Sequence, residues 1–139
     1  MRDENEETIF LKDYAPTAYV IEKVELDVSI VPETARVRSL LTIVPREGTA
    51  PGTPLELDGE ELKLTSIAID GLPLALTAYA ESATGLSIAE PPLKRFVLET
   101  EVMIEPEKNT RLMGLYRSSG TWCTQCEPEG FRRITYYLD

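Results

Sequence analysis

Four residues near the end of the sequence have types and spacing that could do chemistry. Within "GTWCTQCEPEGFRR", Cys123 and Cys126 form a W-C-x-x-C run of the thioredoxin redox type. Interleaved with them are Gln125 and Glu127, an amide and a carboxylate two positions apart. On an extended segment such a pair projects to one side. Together the two side chains could hold an ammonium group, the carboxylate supplying charge and the amide oxygen a further acceptor. The stretch therefore offers either thiol chemistry or recognition of a cation. A reactive thiol needs its first cysteine at a helix N-terminus after a strand, where the helix dipole stabilises the thiolate. Here both cysteines are expected in a loop region of a β-rich chain, ahead of any helix signal. Two ordinary reduced cysteines that pack as small hydrophobes are the expectation.

The totals narrow the chemistry further. The 139 residues are enough for one domain with a real core, and 42% hydrophobic with 27% charged residues is ordinary for a soluble globular chain. Fourteen basic residues against 24 acidic ones leave a net charge of −10. That balance argues against nucleic acid and anionic membrane as partners, since both require clustered Lys and Arg. No apolar run approaches the roughly 18 residues of a membrane span, and the acidic opening "MRDENEETIF" has no signal-peptide core. A cytoplasmic protein is the expectation. Histidine is absent, which rules out a Ser-His-Asp triad, a Cys-His pair or a His-based zinc site within these residues. One C-x-x-C supplies half of a tetrahedral zinc site and no second pair exists, so no metal site is expected.

The elements that must position Gln125 and Glu127 read as strands. Residues 1–13 are expected to be a flexible tail and 14–139 a β domain. Val24, Leu26, Val28 and Ile30 alternate with Glu25, Asp27 and Ser29, the period of a half-buried strand. A turn at Val31-Pro32-Glu33-Thr34 leads to a second run, with Val37, Ser39, Leu41 and Ile43 on one face. The run from Pro45 to Pro54 holds three prolines and two glycines and reads as a loop. "ELKLTSIAID" then enters a type I′ turn at Asp70-Gly71, with a bulge expected where the phase slips between Leu64 and Ile67. A short strand at Gly85–Ile88 follows, and Phe96, Leu98, Thr100, Val102 and Ile104 line one face of another. Asp58-Gly59 reads as a turn. Ten prolines discourage long helices. Only Glu127-Pro128-Glu129, with Phe131, Ile134 and Tyr137 or Leu138 at helical spacing, suggests a helix of one or two turns. The fold class is all-β: an antiparallel sandwich or a curved open sheet with a short helical turn near the C-terminus.

The segment "GLYRSSGTWCTQCEPEGFRRITYYLD" closely resembles the corresponding stretch of the bacterial aminopeptidase N family, zinc metalloaminopeptidases of the gluzincin group. "LKDYAPTAYVIEKVELDVSI", "LELDGEELKLTSIAIDG" and "RFVLETEVMIEPEKNTRLMGLY" resemble that family's N-terminal domain in the same order, so nearly the whole chain is covered. The resemblance implies a saddle-like β domain packed against a thermolysin-like catalytic domain. It assigns Glu127 to the substrate's free α-ammonium and Gln125 to the S1 side of the site, and it gives Cys123 and Cys126 no catalytic role. The family's H-E-x-x-H, its downstream Glu and its G-A-M-E-N segment are not in this sequence. Zinc, and all residues that bind it, would belong to a catalytic domain of the same polypeptide. The chain is thus expected to be an incomplete N-terminal domain, cut at Asp139, inert alone, whose parent removes N-terminal residues from peptides. Two rivals remain: a stand-alone β-sandwich module that binds cationic peptide ends, and a thiol oxidoreductase at Cys123 and Cys126.

Overall fold

A computed structural model describes residues 8–31 and 33–138. Their strands are β1 (Tyr19–Val31), β2 (Thr34–Pro45), β3 (Leu55–Asp58), β4 (Lys63–Ile69), β5 (Leu72–Pro73), β6 (Tyr79–Ser82), β7 (Gly85–Ile88), β8 (Phe96–Ile104), β9 (Gly114–Ser118) and β10 (Thr121–Gln125). They form a five-stranded sheet in the order β1-β2-β8-β4-β5, a three-stranded sheet β3-β7-β6, and the hairpin β9-β10. Every strand pair is antiparallel. The architecture is all-β, and the only helical pieces among the described residues are 3-10 turns.

Alternation explains the large sheet. Val37, Leu41 and Ile43 of β2 sit opposite Val102, Leu98 and Phe96 of β8, so one face of both strands is continuous apolar surface. All six are essentially sealed from solvent. Leu55, Leu57, Leu86 and Ile88 of the smaller sheet join them in one core cluster, which also takes in Tyr19, Leu115, Ile134 and Tyr136. Ser39 and Thr100 face each other in the middle of that surface, both fully buried, with hydroxyls that hydrogen-bond to nothing among the described residues.

Two local expectations hold in detail. The register of β4 on β8 shifts between Leu64 and Ser66, where the phase of the sequence slips. Asp70 and Gly71 both have positive φ, 49° and 81°, as a type I′ turn requires. The returning strand β5 is only two residues long, because Pro73 has no N–H with which to extend the ladder.

Three expectations change. The apolar face of β1 is more open than a half-buried strand: Val24, Leu26, Val28 and Ile30 remain 36–43% exposed although they pair with buried Leu41, Ser39, Val37 and Ala35. Among the described residues, β1 joins the core only at its start, through Tyr19 and Ile21, and the cover over β2 and β8 does not extend along the rest of the strand. Asp58 is not in a turn; it ends β3 and bridges Tyr137 through two backbone hydrogen bonds of 2.7 and 3.0 Å. The terminal helix shrinks to one 3-10 turn, Phe131–Arg133, because the chain must return to extended form to make that bridge. Of the expected tail, residues 1–7 lie outside the described residues, and Leu11–Asp13 forms a 3-10 turn. The Val31–Thr34 pair closes the first hairpin, with Pro32 outside the described residues.

Candidate functional site

The hairpin β9-β10 delivers Gln125 to its place. Asn109 starts it by donating from Nδ2 to the carbonyls of Met113 and Leu115, at 2.6 and 3.0 Å. The strands then pair residue for residue, from Ser118 opposite Thr121 to Gly114 opposite Gln125. Trp122 faces Arg117, whose guanidinium carbon lies 5.2 Å from the indole centroid, a packing role for the tryptophan at the edge of the core. The cysteines are therefore not both in a loop: Cys123 lies within β10 and Cys126 one residue beyond it.

Past Gln125 the chain folds into the turn Glu127–Gly130, which begins with a cis Glu127–Pro128 peptide bond. The Gln125 side chain donates from Nε2 to the Glu127 carbonyl oxygen at 3.0 Å. The two sequence-selected residues are thus brought together by a bond between them, and both are exposed. That bond occupies the amide nitrogen and leaves Oε1 as an acceptor. Among the described residues, nothing pairs with the Glu127 carboxylate. An exposed carboxylate and an amide oxygen on residues joined in this way are both acceptors available to a cationic ligand.

Two glycines make the turn possible. The Gly130 N–H closes it on the Cys126 carbonyl at 2.8 Å, and a Cβ on Gly130 would strike the Gln125 carbonyl oxygen. Gly114, opposite Gln125, has a φ of +76°, and a Cβ there would lie 2.8 Å from Arg133 Cβ. Sequence reasoning passed over both glycines, because what they make room for is set by the hairpin pairing and the turn. Beyond the turn, Arg133 is buried and joins Glu60 at 2.9 Å and Glu61 at 2.6 Å. The Glu60 N–H donates to the Arg132 carbonyl at 3.0 Å, and the Arg132 side chain reaches Glu129 at 3.8 Å. Tyr136 is buried against Gly59, and Phe131 meets Tyr137 edge to face at 4.9 Å. These contacts anchor the segment after the turn to β3 and to the connection between β3 and β4.

The sulfurs are placed differently. Both cysteines are free and partly buried. Burial pushes the Cys126 thiol above its ordinary pKa, opposite to the lowering that makes a redox thiol reactive. Cys123 lies within β10, and Cys126 follows the strand at the entry to the turn. Among the described residues no group of three or more His, Cys, Asp and Glu side chains is placed to hold a metal ion.

Comparison with known proteins gives this geometry a family. No family model matches the chain. It is 48% identical over 139 residues to aminopeptidase N of Caulobacter vibrioides, which covers all of this chain and 16% of that protein. It is 42% identical over 127 residues to aminopeptidase N of Escherichia coli, covering 91% of the chain and 14% of that protein. Among solved structures, Legionella pneumophila aminopeptidase A in complex with aspartic acid superposes with a TM-score of 0.83 at 29% identity, over 91% of this chain and 15% of that one. An M1 zinc metallopeptidase from Deinococcus radiodurans bound to a Tyr-Ser-Ala substrate has a TM-score of 0.69 at 17% identity, over 86% and 29%, and shows the shared fold alone. The chain thus has the β fold of the M1 zinc metallopeptidase N-terminal domain. Within that class it belongs to the aminopeptidase N family, as a portion that spans about one sixth of the relatives it matches.

Proposed function

We propose that this chain supplies amino-terminus recognition to a zinc aminopeptidase that removes N-terminal residues from peptides. The Glu127 carboxylate binds the substrate's α-ammonium, and the Gln125 amide contacts the first residue. The observation that carries this reading is the 3.0 Å bond that ties the two exposed residues onto one turn. A carboxylate held there favours substrates with a free, charged amine and disfavours blocked ones, which suits an exopeptidase. Zinc, which would polarise the scissile carbonyl and activate water, and the general base belong to the rest of the polypeptide. The 139-residue chain by itself is inert as a peptidase. Its partners are peptides with a free N-terminus and the catalytic domain of the same polypeptide. A cytoplasmic location is part of the proposal, supported by the two free thiols.

Glu127→Ala in the full-length polypeptide is the test. The expected result is a fall in kcat/KM on aminoacyl substrates of about tenfold or more, as for loss of a charge-assisted contact. An unchanged kcat/KM would overturn the assignment.

A further inference from the structure

The turn that carries Glu127 has little of its own to hold it. Glu127, Pro128 and Glu129 are all exposed, and the one backbone hydrogen bond across the turn is Gly130 N–H to Cys126 O. What fixes it lies three residues on. The Arg133 N–H bonds the Gly130 carbonyl at 3.1 Å, and the Arg133 Cβ lies against Gly114, the strand partner of Gln125. The side chain, 5% exposed, then runs to two consecutive carboxylates, Nη1 to Glu60 and Nη2 to Glu61. Glu61 itself holds a left-handed backbone, φ 54°, unusual for a residue with a Cβ.

One guanidinium therefore joins three parts: the turn, the hairpin position opposite Gln125, and the β3–β4 connection. Stability alone does not explain such a device. Burying a guanidinium costs desolvation, and apolar replacements of similar volume are often neutral or stabilising. A planar fork with two acceptors fixes direction, which a flexible ammonium or an apolar chain does not.

We infer that Arg133 is a positioning residue for the recognition turn, acting through Glu60 and Glu61 to set where Gln125 and Glu127 stand. This rests on the amine-recognition reading above. With the clamp gone, the turn samples other arrangements, and the substrate must restore the working one at the expense of its binding energy. The loss therefore falls on KM and leaves the chemical step, carried out elsewhere in the polypeptide, nearly untouched.

The experiment measures kcat and KM for an aminoacyl substrate in the full-length zinc-loaded polypeptide, with four variants: Arg133→Met, Glu60→Gln combined with Glu61→Gln, Glu127→Ala, and Arg133→Met combined with Glu127→Ala. The expected result for Arg133→Met is a KM raised about five- to tenfold with kcat within about twofold, and the same pattern in the glutamine pair, which keeps the arginine in place should Arg133→Met fail to fold. Added to Glu127→Ala, Arg133→Met should cost clearly less than it does alone, because its action on Glu127 is already lost and only that on Gln125 remains. A purely structural role would lower kcat, or its effect would multiply with that of Glu127→Ala, and either result overturns the inference. So does a KM raised by Glu127→Ala but not by the glutamine pair, which leaves the recognition reading standing. No change from Glu127→Ala sinks both.

Discussion

Strands β1 and β2 are neighbours in one sheet, with matched register and the same apolar alternation, yet their inner faces have different fates. Val37 and Leu41 are sealed in the core, while Val28 and Val24, directly across from them, keep more than a third of their surface in water. The core that lies over β2 and β8 reaches β1 only at its start, at Tyr19 and Ile21, and leaves Val24, Leu26, Val28 and Ile30 open. Periodicity in a sequence says which way a side chain points; it does not say whether anything waits there.

The largest expected effect uses this contrast directly. Leu98→Ala, at the centre of the covered face, should cost about 2–5 kcal/mol in urea unfolding, and Val28→Ala on the open face about 1 kcal/mol or less. Equal costs would mean that β1 is as well packed as β8. Next comes the turn, where Gly130→Ala drives a methyl into the Gln125 carbonyl and should destabilise by about 1–3 kcal/mol. Unchanged unfolding would show that the turn has slack. Smaller again is Thr100→Val, which removes a buried hydroxyl without a partner and should leave stability unchanged or raise it by about 1 kcal/mol. A clear loss would reveal a hydrogen bond at the Ser39–Thr100 pair.

Least visible near neutrality is an alkaline effect at Tyr136. Burial first, and then the Glu81 carboxylate, push its phenol up to about 12 from the ordinary 10.0. The unfolded chain therefore loses this proton first as pH rises. Stability from this group is intact below pH 10 and falls between about 10 and 12. Tyr136→Phe should flatten that part of the pH–stability curve, and an unchanged slope would assign it to other groups.

Much of the sheet was legible in the sequence because its signals are local. The β8 alternation, the Asp70-Gly71 turn and the slip after Leu64 each depend on neighbours in the chain. The strands β3, β6, β9 and β10 were not legible. Each is four or five residues long, and their pairings are set by contacts with distant strands or, for β9-β10, by a Ser-Gly turn without flanking apolar alternation. At the site, Gln125 and Glu127 were found by type and spacing, but the bond between them was not. It depends on a turn closed by Gly130, whose role is visible only once the Gln125 carbonyl is seen to occupy the space of a Cβ. The terminal helix misled for the same reason: Phe131, Ile134 and Tyr137 have helical spacing, but Tyr137 is claimed by Asp58.

The clamp at Arg133 also has a consequence for the order of assembly. The β1–β2 hairpin closes across a tight turn, whereas Arg133 must meet Glu60 across 73 positions of chain. Closing so long a loop costs entropy that only a nearly finished structure repays. The turn that carries Gln125 and Glu127 is accordingly expected to take shape late in folding, after the sheets on which it rests. A chain that stalls before that point would keep most of its strands and lack the ordered turn that carries Gln125 and Glu127.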